Sequence, residues 1–139
     1  MQFRAVTRDT ADAAFVVGRN RAAGTITQNL VACWDTSTSQ DGVYVQQAAA
    51  TDIQNMAGVA DENIASNAYG RIQNWGYRAS ALFSHVGSSI TITKGDPLGP
   101  VSGTWGLFSF APHLVGAIAM ETTTAISATG YLKVFLRCI

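Results

Sequence analysis

The strongest constraint on the fold lies in mid-chain, where Tyr69–Phe83 alternates polar and apolar side chains around a central glycine, Gly76. Ile72 opposes Arg71 and Gln73, while Tyr77, Ala79, Ala81 and Phe83 share one side of the repeat. Successive side chains of a strand point to opposite faces, so period two predicts a long, half-buried strand. Gly76 predicts a bulge or bend within it.

Shorter β-signals recur on both sides. Residues 25–34 are rich in β-branched and apolar side chains, and the polar segment after them ends in Asp41-Gly42, a dipeptide that favours positive φ and a hairpin. Residues 43–47 read as the returning strand, Gly58-Val59-Ala60 as a strand end, 61–67 as a polar turn and 89–93 as a short strand. Lys94-Gly95-Asp96-Pro97-Leu98-Gly99-Pro100 reads as a fixed loop, because its prolines cannot donate to a ladder. Residues 101–110 read as a hairpin arm around Gly103 and Gly106, 114–121 as an apolar strand and 122–130 as a connection. The last stretch places Leu132, Val134, Leu136 and Cys138 on one face and Tyr131, Lys133, Phe135 and Arg137 on the other. Strands at intervals of roughly ten residues, without long helices between them, predict an all-β fold: a single compact β-barrel or β-sandwich. Residues 48–56 leave room for a helical turn or two. Residues 1–24 read as an N-terminal arm, with a short helix over residues 10–17 as one option, and 25–139 as the β domain.

A faint repetition runs through this pattern. Thr25-Ile26-Thr27, Gly58-Val59-Ala60 and Tyr69-Gly70-Arg71-Ile72-Gln73 are echoed by Thr91-Ile92-Thr93, Gly116-Ala117-Ile118-Ala119 and Gly130-Tyr131-Leu132-Lys133-Val134. The spacings differ between the two sets.

A chain of 139 residues suits one domain with a genuine core and needs no metal or disulfide to fold. Charged residues make up only 13%, about half the usual share, and nine basic side chains cancel nine acidic ones. A chain without net charge exerts no long-range pull on nucleic acid or an anionic membrane, so neither is an expected partner. A weakly charged polar surface desolvates at low cost, which suits association. The N-terminal stretch departs from this balance, with Arg4, Arg8, Arg19 and Arg21 against Asp9 and Asp12. Cys33 and Cys138 sit far apart in apolar runs and read as small buried hydrophobes. No secretion signal opens the sequence and no apolar run approaches a membrane span, so a protein made in a cytoplasm-like compartment is expected.

Catalytic signatures are missing. His85 and His113 are isolated, no nucleophile elbow, phosphate loop or dinucleotide fingerprint occurs, and the Asp61-Glu62 pair falls in a turn. Asp35 and Asp41 bracket a Ser/Thr loop whose spacing matches no calcium loop. No enzyme activity, metal or cofactor is therefore expected. The aromatics are the better lead: Trp34, Trp75, Tyr77, Trp105, Phe108 and Phe110 lie at turns and on strand faces, where rings fill a core or anchor an interface. Trp75 and Trp105, flanked by small and polar residues, are the ones expected to be partly exposed. Exposed rings also stack on sugars, which keeps open a head-fibre or receptor-binding module that recognises host carbohydrate.

The run Gly58-Val59-Ala60-Asp61-Glu62-Asn63-Ile64-Ala65-Ser66-Asn67-Ala68-Tyr69-Gly70-Arg71-Ile72-Gln73-Asn74-Trp75-Gly76-Tyr77 resembles the capsid decoration, or cement, proteins of tailed bacteriophages. Cys33-Trp34-Asp35-Thr36-Ser37 and Thr93-Lys94-Gly95-Asp96-Pro97-Leu98 resemble flanking parts of the same pattern, so the likeness spans roughly residues 25–137. It implies a virion structural protein on the outer capsid surface, stabilising the shell by bridging major capsid subunits. It also implies a homo-oligomer, commonly a trimer at a three-fold position. On that reading Phe3, Arg4, Arg8, Phe15, Arg19 and Arg21 of the arm are expected to reach the capsid, with Trp75, Tyr77, Trp105, Phe108 and Phe110 as interface aromatics.

Overall fold

The described residues form eleven strands: β1 (Ala13–Asn20), β2 (Val31–Trp34), β3 (Tyr44–Gln46), β4 (Met56–Ala60), β5 (Tyr69–Phe83), β6 (Ile90–Ile92), β7 (Pro97–Pro100), β8 (Leu107–Ser109), β9 (Ala117–Ala119), β10 (Thr123–Ile126) and β11 (Gly130–Arg137). They belong to a computed structural model that describes residues 12–37, 42–48, 55–84, 90–104, 106–109, 116–126 and 129–138. The all-β expectation holds, as one compact β domain.

The strand pairings close on themselves twice. β1–β3–β2–β4–β5 returns to β1, and β5–β11–β9–β7–β8 returns to β5, so two rings share one long strand. Each ring is antiparallel except for one parallel contact, β1 with β3 in the first and β5 with β8 in the second. Closure gives each of these strands a partner on both sides over part of its length, which shortens the edge open to edge-to-edge aggregation.

Each ring surrounds its own apolar cluster. The smaller contains Ala32, Val45, Ala57, Ala60 and Ile72, closed over by Ile26 and Ile64, which form an isolated bridge. The larger contains Ala81, Phe83, Leu98, Leu107, Ala117, Ala119, Leu132, Val134 and Leu136. Val31, Cys33, Met56 and Val59 also enter the larger cluster, although β2 and β4 belong to the first ring. β2 and β4 therefore bury both faces, which is why their sequences run apolar without alternation and why every residue of β4 is buried. This shared packing joins the rings into one body.

β5 needs two irregularities to serve both rings. Against β1 the register slips opposite Asn74, and against β11 it slips near Ala79 and Ser80. The face expected for Tyr77, Ala79, Ala81 and Phe83 therefore splits: Tyr77 and Ala79 are exposed, Ala81 and Phe83 buried. Gly76 has φ 94°, where an added Cβ would overlap the carbonyl of Asp12. Gly58, at φ 143°, lets β4 approach β5 so closely that a Cβ would meet the carbonyl of Gln73.

Several local expectations change. Ala13–Asn20, within the stretch that reads as an arm, is strand rather than helix and lies in the first ring; seven residue pairs with β5 outweigh any local helical preference. The Pro97–Pro100 segment is β7 rather than a loop. Its prolines occupy the first and last strand positions, where a missing donor is tolerated. Its hairpin partner is β8, and among the described residues of the predicted arm over 101–110 only Leu107–Ser109 is strand. Within 25–34 only Val31–Trp34 is strand, and the connection at 122–130 contains β10, paired with β6. Gly42 has φ 69° and β2 is antiparallel to β3, as a hairpin between them requires, while Asp41 lies outside the described residues. Of residues 48–56, positions 49–54 lie outside the described residues.

The faint repetition is a repetition of architecture. β2–β3, β2–β4 and β4–β5 have antiparallel counterparts in β7–β8, β7–β9 and β9–β11. Local hydrogen bonds repeat as well. Asn29 N donates to Ala60 O at 2.9 Å, as Gly95 N does to Ala119 O at 2.8 Å. The two donors share positive φ, 74° and 99°. Gln28 N donates to Asn63 Oδ1, as Lys94 N does to Thr122 Oγ1. Arg71 N donates to Glu62 Oε1, as Lys133 N does to Glu121 Oε1, both at 2.8 Å. Spacings differ because the two halves have unequal loops, while the pairing plan is the same.

Candidate interaction surface

A partner can use the faces that the rings turn outward. Two faces stand out.

The first lies outside the first ring, on β1 and β5. Phe15, Val17 and Arg19 alternate outward and stand opposite Gln73, Arg71 and Tyr69. Val17 is 60% exposed and Tyr69 62%. The Arg19 guanidinium lies 5.5 Å from the Tyr44 ring and 5.8 Å from the Tyr69 ring, and donates to Tyr44 Oη and Asn67 O. The Arg71 guanidinium lies 5.4 Å from the Phe15 ring. Cation and ring stiffen each other here, which presents aromatic surface at low entropic cost.

The second lies outside the second ring, on β5 and β11. Tyr131, Lys133, Phe135 and Arg137 take the side opposite the buried Leu132, Val134 and Leu136, as the alternation predicts. Phe135 stands opposite Tyr77 and packs edge-on to Trp75, ring centres 5.3 Å apart. Tyr131 is 60% exposed, with Trp75 and Tyr77 each partly exposed.

Between the rings, β5 carries a buried cation. Arg78 Nε donates to Ser80 O, Nη1 to Asp61 Oδ1 and Gln73 Oε1, and Nη2 to Asn29 Oδ1 and Ala60 O. All five guanidinium donors are thus committed. Gln73 turns its amide nitrogen onto Trp75 O and Tyr77 O, filling the gap where β5 passes from one ring to the other. A crevice of about 350 Å³ opens above this network, lined by Gln28, Asn29, Tyr77, Ala79 and Ser80.

The expected site residues divide accordingly. Phe15 and Arg19 join the first face and Trp75 and Tyr77 the second. Arg21 instead forms an ion pair with the buried Asp35, whose carboxylate also accepts from Ser37 and Gln46. Phe3, Arg4, Arg8, Trp105, Phe110, Asp41, His85 and His113 lie outside the described residues, as does the side chain of Phe108. Asp61 and Glu62 are not simply solvated: Asp61 bridges Arg71 and Arg78, and Glu62 accepts from Arg71. Tyr69, Arg71, Tyr131, Lys133 and Arg137 were not anticipated as surface determinants. Their signal was present as exposed positions of two strands that echo each other.

Two titrating groups reflect this packing. Backbone donation from Lys133 to Glu121 holds that carboxyl below its ordinary value, helped by the Lys133 side chain. Burial pushes the Cys138 thiol up to about 12. Both cysteines are free. Among the described residues no group of three or more His, Cys, Asp or Glu is placed to hold a metal.

A domain of two fused β-rings with aromatic and cationic outer faces is thus the class that fold and surface define. No protein-family model and no curated protein matches the sequence. Among solved structures, the chain is similar to the N base of head fibre gp8.5 in bacteriophage phi29, with TM-score 0.54 at 13% identity, covering 91% of this chain and 96% of that one. At this identity the likeness is one of fold.

Proposed function

We propose that this chain is a structural protein of a bacteriophage virion, seated on the outer surface of the head, and that it works by binding rather than catalysis. The fold likeness to the phi29 head-fibre base carries the reading, because it extends over nearly the whole of both chains. The surface supports it. Exposed tyrosines and arginines are the side chains that dominate binding energy at protein interfaces, and here they sit on rigid strands.

The finer proposal is that the protein bridges neighbouring major capsid subunits as a homo-oligomer, a trimer in keeping with a three-fold site. Area buried across a subunit seam opposes separation of the shell, and repetition over many copies makes modest contacts effective. Mixing the purified protein with expanded, undecorated capsids tests this: saturable binding at symmetry-related sites, with capsids that keep their DNA to higher temperature, is expected. Capsids left bare at saturating protein would refute it.

A second reading, the base of a head fibre, is favoured by what the phi29 neighbour is. It predicts capsid binding without a gain in capsid stability.

A further inference from the structure

The architectural repeat extends to residues that the fold does not need. Tyr69 and Tyr131 hold equivalent places on β5 and β11 and are exposed by 62% and 60%. Two positions on, Arg71 and Lys133 each donate a backbone N–H to a glutamate, Glu62 or Glu121, and pair with the same carboxylate by side chain at 3.9 and 3.2 Å. On the neighbouring strand an exposed ring completes each set: Phe15 opposite Gln73, and Tyr77 opposite Phe135. Core residues recur in a repeated fold because packing demands them. A tyrosine left mostly in water has no such demand on it, and its recurrence with the same cation and carboxylate needs another cause.

We propose that these sets are two copies of one contact face, and that the protein is bivalent: it engages the same surface of two copies of one partner protein. The partner surface is an apolar depression that takes the tyrosine ring, edged by carboxylates. Charge complementarity favours the acidic edge. Arg19, opposite Tyr69 in the first set, and Arg137, two positions past Phe135 at the other end of the second, have no carboxylate partner among the described residues, whereas Arg71 and Lys133 are already paired. Two like faces held on a shared strand turn the second contact into an intramolecular event, so each multiplies the strength of the other. This inference rests on the reading of the chain as a capsid-binding protein, and it names the bridging device.

Capsid binding by the wild-type protein, Tyr69→Ser, Tyr131→Ser and the double variant tests it, with thermal unfolding confirming that each variant folds. Each single variant is expected to bind more weakly by a similar factor, on the order of tenfold or more, and the double variant to lose saturable binding. A single variant that binds like wild type overturns bivalency while leaving the capsid reading intact. Wild-type protein that does not bind overturns both. Should a tyrosine variant unfold, Phe15→Ser and Tyr77→Ser repeat the comparison from the opposing strands.

Discussion

Arg78 Nη1 lies 2.7 Å from Asp61 Oδ1, and the same carboxylate reaches Arg71 through its other oxygen at 2.8 Å. One acidic turn residue thereby ties the buried cation of β5 to an exposed cation on the first contact face. The turn that follows β4 is thus held to the shared strand from both its inner and its outer side.

Removing the buried cation is costly. Arg78→Ala removes the guanidinium from Asp61 Oδ1, Gln73 Oε1, Asn29 Oδ1, Ser80 O and Ala60 O together, although Ala60 O keeps the Asn29 N–H, and should lower stability by about 3 kcal/mol in urea unfolding. Arg78→Lys should recover little, because an ammonium cannot serve five acceptors in one plane. Wild-type stability in the alanine variant would contradict this bonding.

Gly76→Ala tests how β1 enters the first ring. Its Cβ would overlap the Asp12 carbonyl at a positive φ, so a loss of roughly 2–4 kcal/mol is expected, with faster proteolysis at residues 12–16. An alanine variant as stable as wild type would mean that β1 does not pair with β5 at Ala13.

Cys138 should be inert. With its thiol pushed up to about 12 from 9.0 by burial, it should resist an aromatic disulfide reagent at pH 8 until the protein unfolds. The unfolded thiol ionises first, so the native state holds an extra proton between about pH 9 and 12 and loses stability as pH rises through that window. Cys138→Ala should lessen that loss in unfolding measured from pH 8 to 11. Rapid native labelling at pH 8 would show the thiol to be accessible.

Glu121 behaves in the opposite sense. Its carboxyl, held below 4.5 chiefly by the Lys133 N–H, contributes stability above pH 4.5 that fades as pH falls through its lowered value. Carboxyl NMR should show Glu121 titrating below the ordinary glutamate range, and Lys133→Met should raise it only in part, since the backbone donor remains. A Glu121 midpoint at or above 4.5 would rule out the contact.

How far the sequence reaches depends on whether a signal is local. Tyr69–Phe83 and the last strand were legible because alternation is a property of neighbours, and Gly42 because a turn constrains its own φ. The repeat was legible in fragments, Thr25-Ile26-Thr27 against Thr91-Ile92-Thr93, where the backbone makes the same turns. Strand β1 is hidden in the sequence because its partners are distant along the chain, and β7 because proline at a strand end looks like proline in a loop. Nor does local pattern show that β2 and β4 are covered on both faces, or that β5 closes two rings. Burial of Arg78 was invisible for the same reason: its five acceptors come from residues 29, 60, 61, 73 and 80. The sequence by itself determined that this chain is β and where its longest strand runs, since period and turn chemistry act over a few residues. Tertiary structure alone decided which exposed side chains share a face, because ring closure sets the distance between strands that the chain keeps apart.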